Sequence, residues 1–162
     1  MKIIKSFVCA AAIVFAFSVV AESRQQKGQT PSAGAAQGTV EYSSAANPSA
    51  RTLSEVVRVG NILYLSGKLG TDSTGKLAAG GIAAETKQTL ENIKAVLEKN
   101  GSSMDNVIKC TVMLADIKEW ADMNTVYVTF FKKERLPARS ALGVSGLVQS
   151  ARVEIECMAT TK

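Results

Sequence analysis

The stretch RVEIECMA, residues 152–159, decides how this chain folds. Val153, Ile155, Cys157 and Ala159 alternate with Arg152, Glu154, Glu156 and Met158. A period of two is that of a β-strand with one apolar face and one polar face. The apolar face should meet the helices, and the charged face sits on a strand that reads as central. Just before it, LPARSALGV (136–144) reads as a second strand, with Arg139 at the head of an apolar run. If the two form an antiparallel hairpin turning at Gly146-Leu147, Arg139 stands opposite Glu154. A cross-strand Arg–Glu pair is an ordinary stabilising device. A guanidinium fork also suits two-pronged capture of a substrate carboxylate, and a nearby glutamate can hold or activate a water. Spacing does not choose between these readings.

Working outward, SEVVRV (54–59) and ILYLSG (62–67) are strand-like runs joined by Gly60-Asn61, a tight hairpin signal. LGTDSTGKLAAGG (69–81) is a loop. Ile82, Leu90, Ile93 and Leu97 recur on one face of a helix expected from about Ile82 to Lys99, with Glu85, Lys87, Glu91 and Lys94 largely elsewhere and Gly101 as its stop. VIKCTVML (107–114) is a strand. Asp116, with Glu119 three residues on, resembles a capping box opening a second helix over about Lys118–Lys133, with Trp120, Met123, Tyr127 and Phe131 turned inward. The order β-β-α-β-α-β-β predicts an α+β sandwich, a sheet with two helices on one face. Other copies of the chain would cover the charged, helix-free face.

The domain is expected over residues 52–162. Residues 1–21 place lysines at 2 and 5 before an apolar run, then Val19 and Ala21 three and one residues ahead of a cut, which is the pattern of a secretory signal peptide. The run is short for a membrane span, so the expectation is an exported protein, periplasmic or secreted, with no stable membrane association after cleavage. Residues 22–51 are rich in Gln, Ser, Ala and Gly and poor in large apolar side chains. Such a segment buries too little surface to offset its ordering entropy, and reads as a flexible linker.

The chain contains no histidine. That excludes a Ser–His–Asp triad, a Cys–His pair and His-ligated zinc. The remaining cysteines, Cys110 and Cys157, lie in apolar strands, where free buried thiols are the default and a disulfide requires that the two be close. Loss of Lys2 and Lys5 with the leader lowers the formal charge from +5 to +3. With no basic run studded by aromatics, nucleic-acid binding has little support.

Three stretches taken together, VGNILYLSGKLG (59–70), ETKQTLENIKAVLEKNGSSMDNVIKCTVMLADIKEWADMNTVYVTFF (85–131) and LPARSALGV with VEIECMA (136–144, 153–159), resemble the Rid (YjgF) family of reactive-intermediate deaminases across the whole domain. The resemblance implies a chorismate-mutase-like fold, a homotrimer with clefts between subunits, and hydrolysis of 2-enamine/2-imine acids such as 2-aminoacrylate to 2-keto acids and ammonia. It implies no metal and no organic cofactor. It puts the carboxylate-binding arginine at Arg139, the water-associated glutamate at Glu154, pocket residues at Ser66 and Gly67, a helix asparagine at Asn124 and a substrate-facing backbone group at Ala141. The family's substrate-side tyrosine falls on Leu53, which has no hydroxyl. Leu53 and export together raise a second reading, a non-catalytic module binding a small carboxylate. A ribonuclease or chaperone-like role is a third, and the absent histidine and mild charge speak against the nuclease.

Overall fold

A computed structural model describes residues 38–43 and 52–161, so the expected signal peptide and most of the expected linker lie outside the described residues. Seven strands and two α-helices follow the order β1 (Val40–Ser43), β2 (Val56–Val59), β3 (Ile62–Leu65), β4 (Lys68–Leu69), α1 (Gly81–Lys99), β5 (Val107–Leu114), α2 (Trp120–Tyr127), β6 (Ala138–Gly143) and β7 (Val153–Thr160). They form one mixed sheet with spatial order β1-β2-β3-β7-β5-β6, and β4 also pairs with β7. This is the expected α+β architecture. It adds two strands, β4, which runs into the start of the stretch read as a loop, and β1, which lies inside the stretch that composition assigns to a linker. Val40 and Tyr42 are exposed on it, so backbone pairing to β2, rather than burial, holds this edge strand.

Alternation in the last strand sets the core. Val153, Ile155, Cys157 and Ala159 are buried, and Val107, Cys110, Val112 and Leu114 of β5 lie beside them. Onto this face α1 packs Ile82, Leu90, Ile93 and Leu97, the stripe its periodicity predicts, and α2 packs Met123 and Tyr127. Glu85 shares the buried side of α1, against the expectation that it faces elsewhere. Its Oε2 accepts from the Arg152 backbone N–H at 2.8 Å, so a buried carboxylate ties the helix to the start of β7. The two-residue turn Gly60-Asn61 joins β2 to β3 with Gly60 at φ +59, the left-handed region that favours glycine.

Three expectations require correction. The two final strands do not form a hairpin. β6 runs parallel to β5, with Arg139 beside Cys110, and β5 lies between β6 and β7, with Cys110 beside Cys157. A parallel neighbour needs a crossover, and α2 supplies it between β5 and β6. Second, α2 is shorter than expected. 3-10 turns at Ile117–Glu119 and Val128–Phe130 flank it, and Phe131 is extended. The β-branched and aromatic run Val126–Phe131 is a weak helix former, and a tightened last turn is the usual result. Asp116 does cap, accepting from the Lys118 N–H at 2.9 Å, but Glu119 bonds Arg152 rather than closing a capping box. Third, Cys110 and Cys157 are not free thiols. They are opposite one another on adjacent antiparallel strands, buried, and joined in a disulfide.

The disulfide closes a loop of sequence separation 47. Loop-closure entropy gives it about 4 kcal/mol of stability. Cys110→Ser/Cys157→Ser should therefore unfold at distinctly lower temperature and denaturant than the parent in paired melts. Equal midpoints would show that the bond adds nothing to the fold.

Candidate active site

The strand order separates the residues singled out by sequence into two groups. Arg139 lies in one row with Cys110 and Cys157, whose side chains point to the helices. Glu154 is three residues before Cys157 on β7, so its side chain takes the opposite face. Two strand spacings and three residues put their Cα atoms about 10 Å apart in each of two directions. Arg139 and Glu154 of one chain are thus neither a cross-strand pair nor members of one pocket.

The first group gathers at the edge strand β6. The Arg139 guanidinium donates from Nη1 to Asn124 Oδ1 at 2.8 Å. It stands 4.5 Å from the Tyr127 ring centroid and 5.6 Å from that of Trp120. Positions 120, 124 and 127 fall on one side of a helix, so α2 offers ring, amide and ring to a single guanidinium. Burial pushes the Tyr127 phenol up to about 12, with the Arg139 charge opposing the shift, so the phenol stays neutral. No carboxylate pairs with Arg139 among the described residues, and Asn124 takes only one of its N–H donors. Ala141, two residues on, shares this face, and β6 has backbone groups on its outer side that β5 does not use.

The second group gathers where β3 gives way to β4. Ser66 N–H donates to the Glu55 carbonyl at 3.1 Å, and Ser66 Oγ donates to the Ser54 carbonyl at 2.6 Å. These bonds set Ser66 against Ser54 and Glu55; Leu53, which precedes them in the chain, is 63% exposed. Gly67 approaches Glu154 so closely that a Cβ would overlap Oε1 and stand 2.9 Å from Cδ. Glu154 has no hydrogen-bond or ion-pair partner among the described residues. Alongside, Glu55 is held by Lys68 Nζ at 2.9 Å and Lys99 Nζ at 3.5 Å. Burial raises the Glu55 pKa, but the two lysines outweigh it and hold the carboxyl below its usual range. Gly67, Lys68, Gln88, Asn92 and Gln149 line an open groove of about 640 Å³ on the α1 side of the sheet, and Glu154 does not line it.

One group therefore offers a pre-set cation with free donors. The other offers an unpaired carboxylate beside a glycine that leaves it room. Sequence pointed to Arg139, Asn124 and Ala141, and to Ser66, Gly67 and Glu154, and each set of three is brought together. The sets are not brought to each other. Sequence missed the part of Trp120 and Tyr127, which it read as core. Tyr127 is buried, but Trp120 is 40% exposed.

Residues 43–161 match the family model described as endoribonuclease L-PSP. The chain is 43% identical over 107 residues to the 2-iminobutanoate/2-iminopropanoate deaminase of Rattus norvegicus, covering 65% of this chain and 77% of that protein. The human protein of the same name is 42% identical over the same length and coverage. Among solved structures, yeast Mmf1 matches with a TM-score of 0.69 at 33% identity, over 76% of this chain and 100% of that one. RidA from an Antarctic Psychrobacter matches with a TM-score of 0.65 at 37% identity, over 76% and 98%.

Gly67→Ala should displace the Glu154 side chain while leaving the backbone in place, because the overlapping atoms belong to a movable carboxylate. A crystal structure of the variant should show Glu154 in another rotamer, with a thermal midpoint within a few degrees of the parent. An unmoved Glu154 would mean that the close approach is not a constraint.

Proposed function

The chain belongs to the Rid (YjgF) family, and on that premise we propose that it hydrolyses 2-enamine/2-imine acids such as 2-aminoacrylate to 2-keto acids and ammonia, in clefts shared by two copies of itself. The observation that supports this most is the division of the site. Arg139 has open donors and Glu154 is unpaired, yet they occupy opposite faces of one sheet. A second copy that sets its Glu154 group against the first copy's Arg139 group completes a pocket with a cation at one end and a carboxylate at the other. A cyclic homotrimer repeats that heterologous contact three times and closes. It also gives the exposed Tyr64 and Leu142 a cover.

The chemistry needs no histidine. A protonated 2-imino acid is already electrophilic at C2, so the main task is to place it and a water together. Arg139 binds its carboxylate through two N–H donors. Glu154 orients the water and accepts its proton as the new C–O bond forms at C2. Glu154 returns that proton to the amino group, the C–N bond breaks as the new hydroxyl gives its own proton back to Glu154, and the products are a 2-keto acid and ammonia. Ser66, Gly67 and the Ala141 backbone line the cleft, and Leu53 makes its Glu154 side more apolar than a tyrosine would. The leader-like residues 1–21 and the buried disulfide support export to an oxidising compartment, periplasmic or extracellular.

A second reading is a module that binds a small carboxylate without turning it over. Leu53 favours it, because the residue at that exposed position carries no hydroxyl.

With 2-imino acids generated in situ by an amino-acid oxidase, the protein should speed keto-acid release, and Arg139→Ala should lose on the order of 100-fold or more in kcat/KM. No acceleration with several side chains would leave the binding module. Co-expression of Arg139→Ala with Glu154→Gln, each inactive alone, should restore about a quarter of the parental activity, since a mixed trimer holds one intact cleft. A co-expressed pair as inactive as its parents would contradict a site shared between copies.

A further inference from the structure

Arg139 is held by more than its hydrogen bond, and the manner of holding gives a role to two residues that the sequence reads as core. We propose that Trp120 and Tyr127 are positioning residues that clamp the Arg139 guanidinium between aromatic faces, fixing its plane so that its N–H edge is presented to a small carboxylate. This rests on the reading of Arg139 as the carboxylate anchor.

Three observations carry it. The guanidinium carbon lies 4.5 Å from the Tyr127 ring centroid and 5.6 Å from that of Trp120, within reach of a cation–π attraction at both. The two rings and Asn124 come from successive turns of α2, so one rigid helix sets all three contacts. Finally, the Tyr127 hydroxyl is buried without a hydrogen-bond partner among the described residues, so Tyr127 serves Arg139 through its ring and not its oxygen.

The division of labour follows from guanidinium geometry. Its five N–H groups point outward in its plane, and its faces carry none. A carboxylate must approach the edge, where two parallel N–H groups match its oxygens. Contacts made edge-on by the protein would consume donors that the ligand needs. Aromatic faces restrain the group without consuming any, and Asn124 takes one donor to set the rotation. An arginine on an exposed edge strand otherwise has several rotamers to lose on binding, and pre-ordering removes that entropic loss from the ligand's affinity.

Trp120 is the only tryptophan in the chain, so its emission is a private reporter on this clamp. It is also 40% exposed, so its replacement leaves the core intact. With 2-ketobutyrate as the probe, tryptophan emission of the full protein should change saturably, and Arg139→Ala should show no change. Calorimetric Kd values should then separate the variants. Trp120→Leu should weaken 2-ketobutyrate on the order of tenfold, whereas Trp120→Phe, which keeps a ring face, stays within about twofold of the parent. Tyr127→Phe should also stay within about twofold. Thermal midpoints of the Trp120 variants should remain near the parent's, which a packing role would not combine with a selective loss of affinity. Equal affinity in Trp120→Leu overturns the clamp, as does absence of any 2-ketobutyrate binding by the parent. A tenfold loss in Tyr127→Phe overturns it too, by putting the hydroxyl at work. Binding with this pattern but no imine turnover would uphold the clamp and defeat the hydrolase reading alone.

Discussion

The pairing of β5 with β7 governs everything else in the domain. Cys110 beside Cys157 and Val112 beside Ile155 fix the register, and the apolar side chains of both strands enter one core. Side-chain parity in a sheet is all or nothing, because a slip by one residue would turn every buried group of a strand to the other face. Once Cys157 and Val153 face the helices, Glu154 must face away. Once β6 adds in parallel to the other edge of β5 with Arg139 beside Cys110, Arg139 must face the helices. The disulfide joins the two strands at that row, and so holds the register that assigns the two site residues to opposite faces.

From that constraint comes the character of the site. A single copy holds an arginine restrained by Asn124, Trp120 and Tyr127, and separately a glutamate accommodated by Gly67. Neither group is chemically complete. Among the described residues, no carboxylate pairs with Arg139 and no cation pairs with Glu154. In the proposed hydrolase, assembly and catalysis are therefore one requirement. The exposed Tyr64 and Leu142 on the helix-free side of the sheet suit a surface that meets further copies.

Much of this was legible in the sequence. The alternation of residues 152–159, the Gly60-Asn61 turn and the apolar stripe of α1 each carry their own period, and each element formed as read. The order of strands was not legible. A symmetric turn at Gly146-Leu147 is as good a local pattern as a crossover, and only packing of α2 onto the core favours the crossover, which sets Arg139 apart from Glu154. The pairing of Cys110 with Cys157 is likewise a consequence of register. β1 escaped notice because an edge strand held by backbone pairing needs no apolar pattern. Trp120 looked like core because its spacing to Met123 and Tyr127 is that of a buried stripe, whereas the buried stripe of α2 begins at Met123 and Trp120, at the head of the helix, lies against Arg139. The site residues themselves were found through motif resemblance, since nothing in composition distinguishes Glu154 from Glu156.

The most direct test is a crystal structure with 2-ketobutyrate bound. Its carboxylate should lie on the guanidinium edge of Arg139 from one copy, with Glu154 from a second copy facing its C2. A ligand bound by Arg139 and Glu154 of the same chain, or bound away from both, would contradict that arrangement.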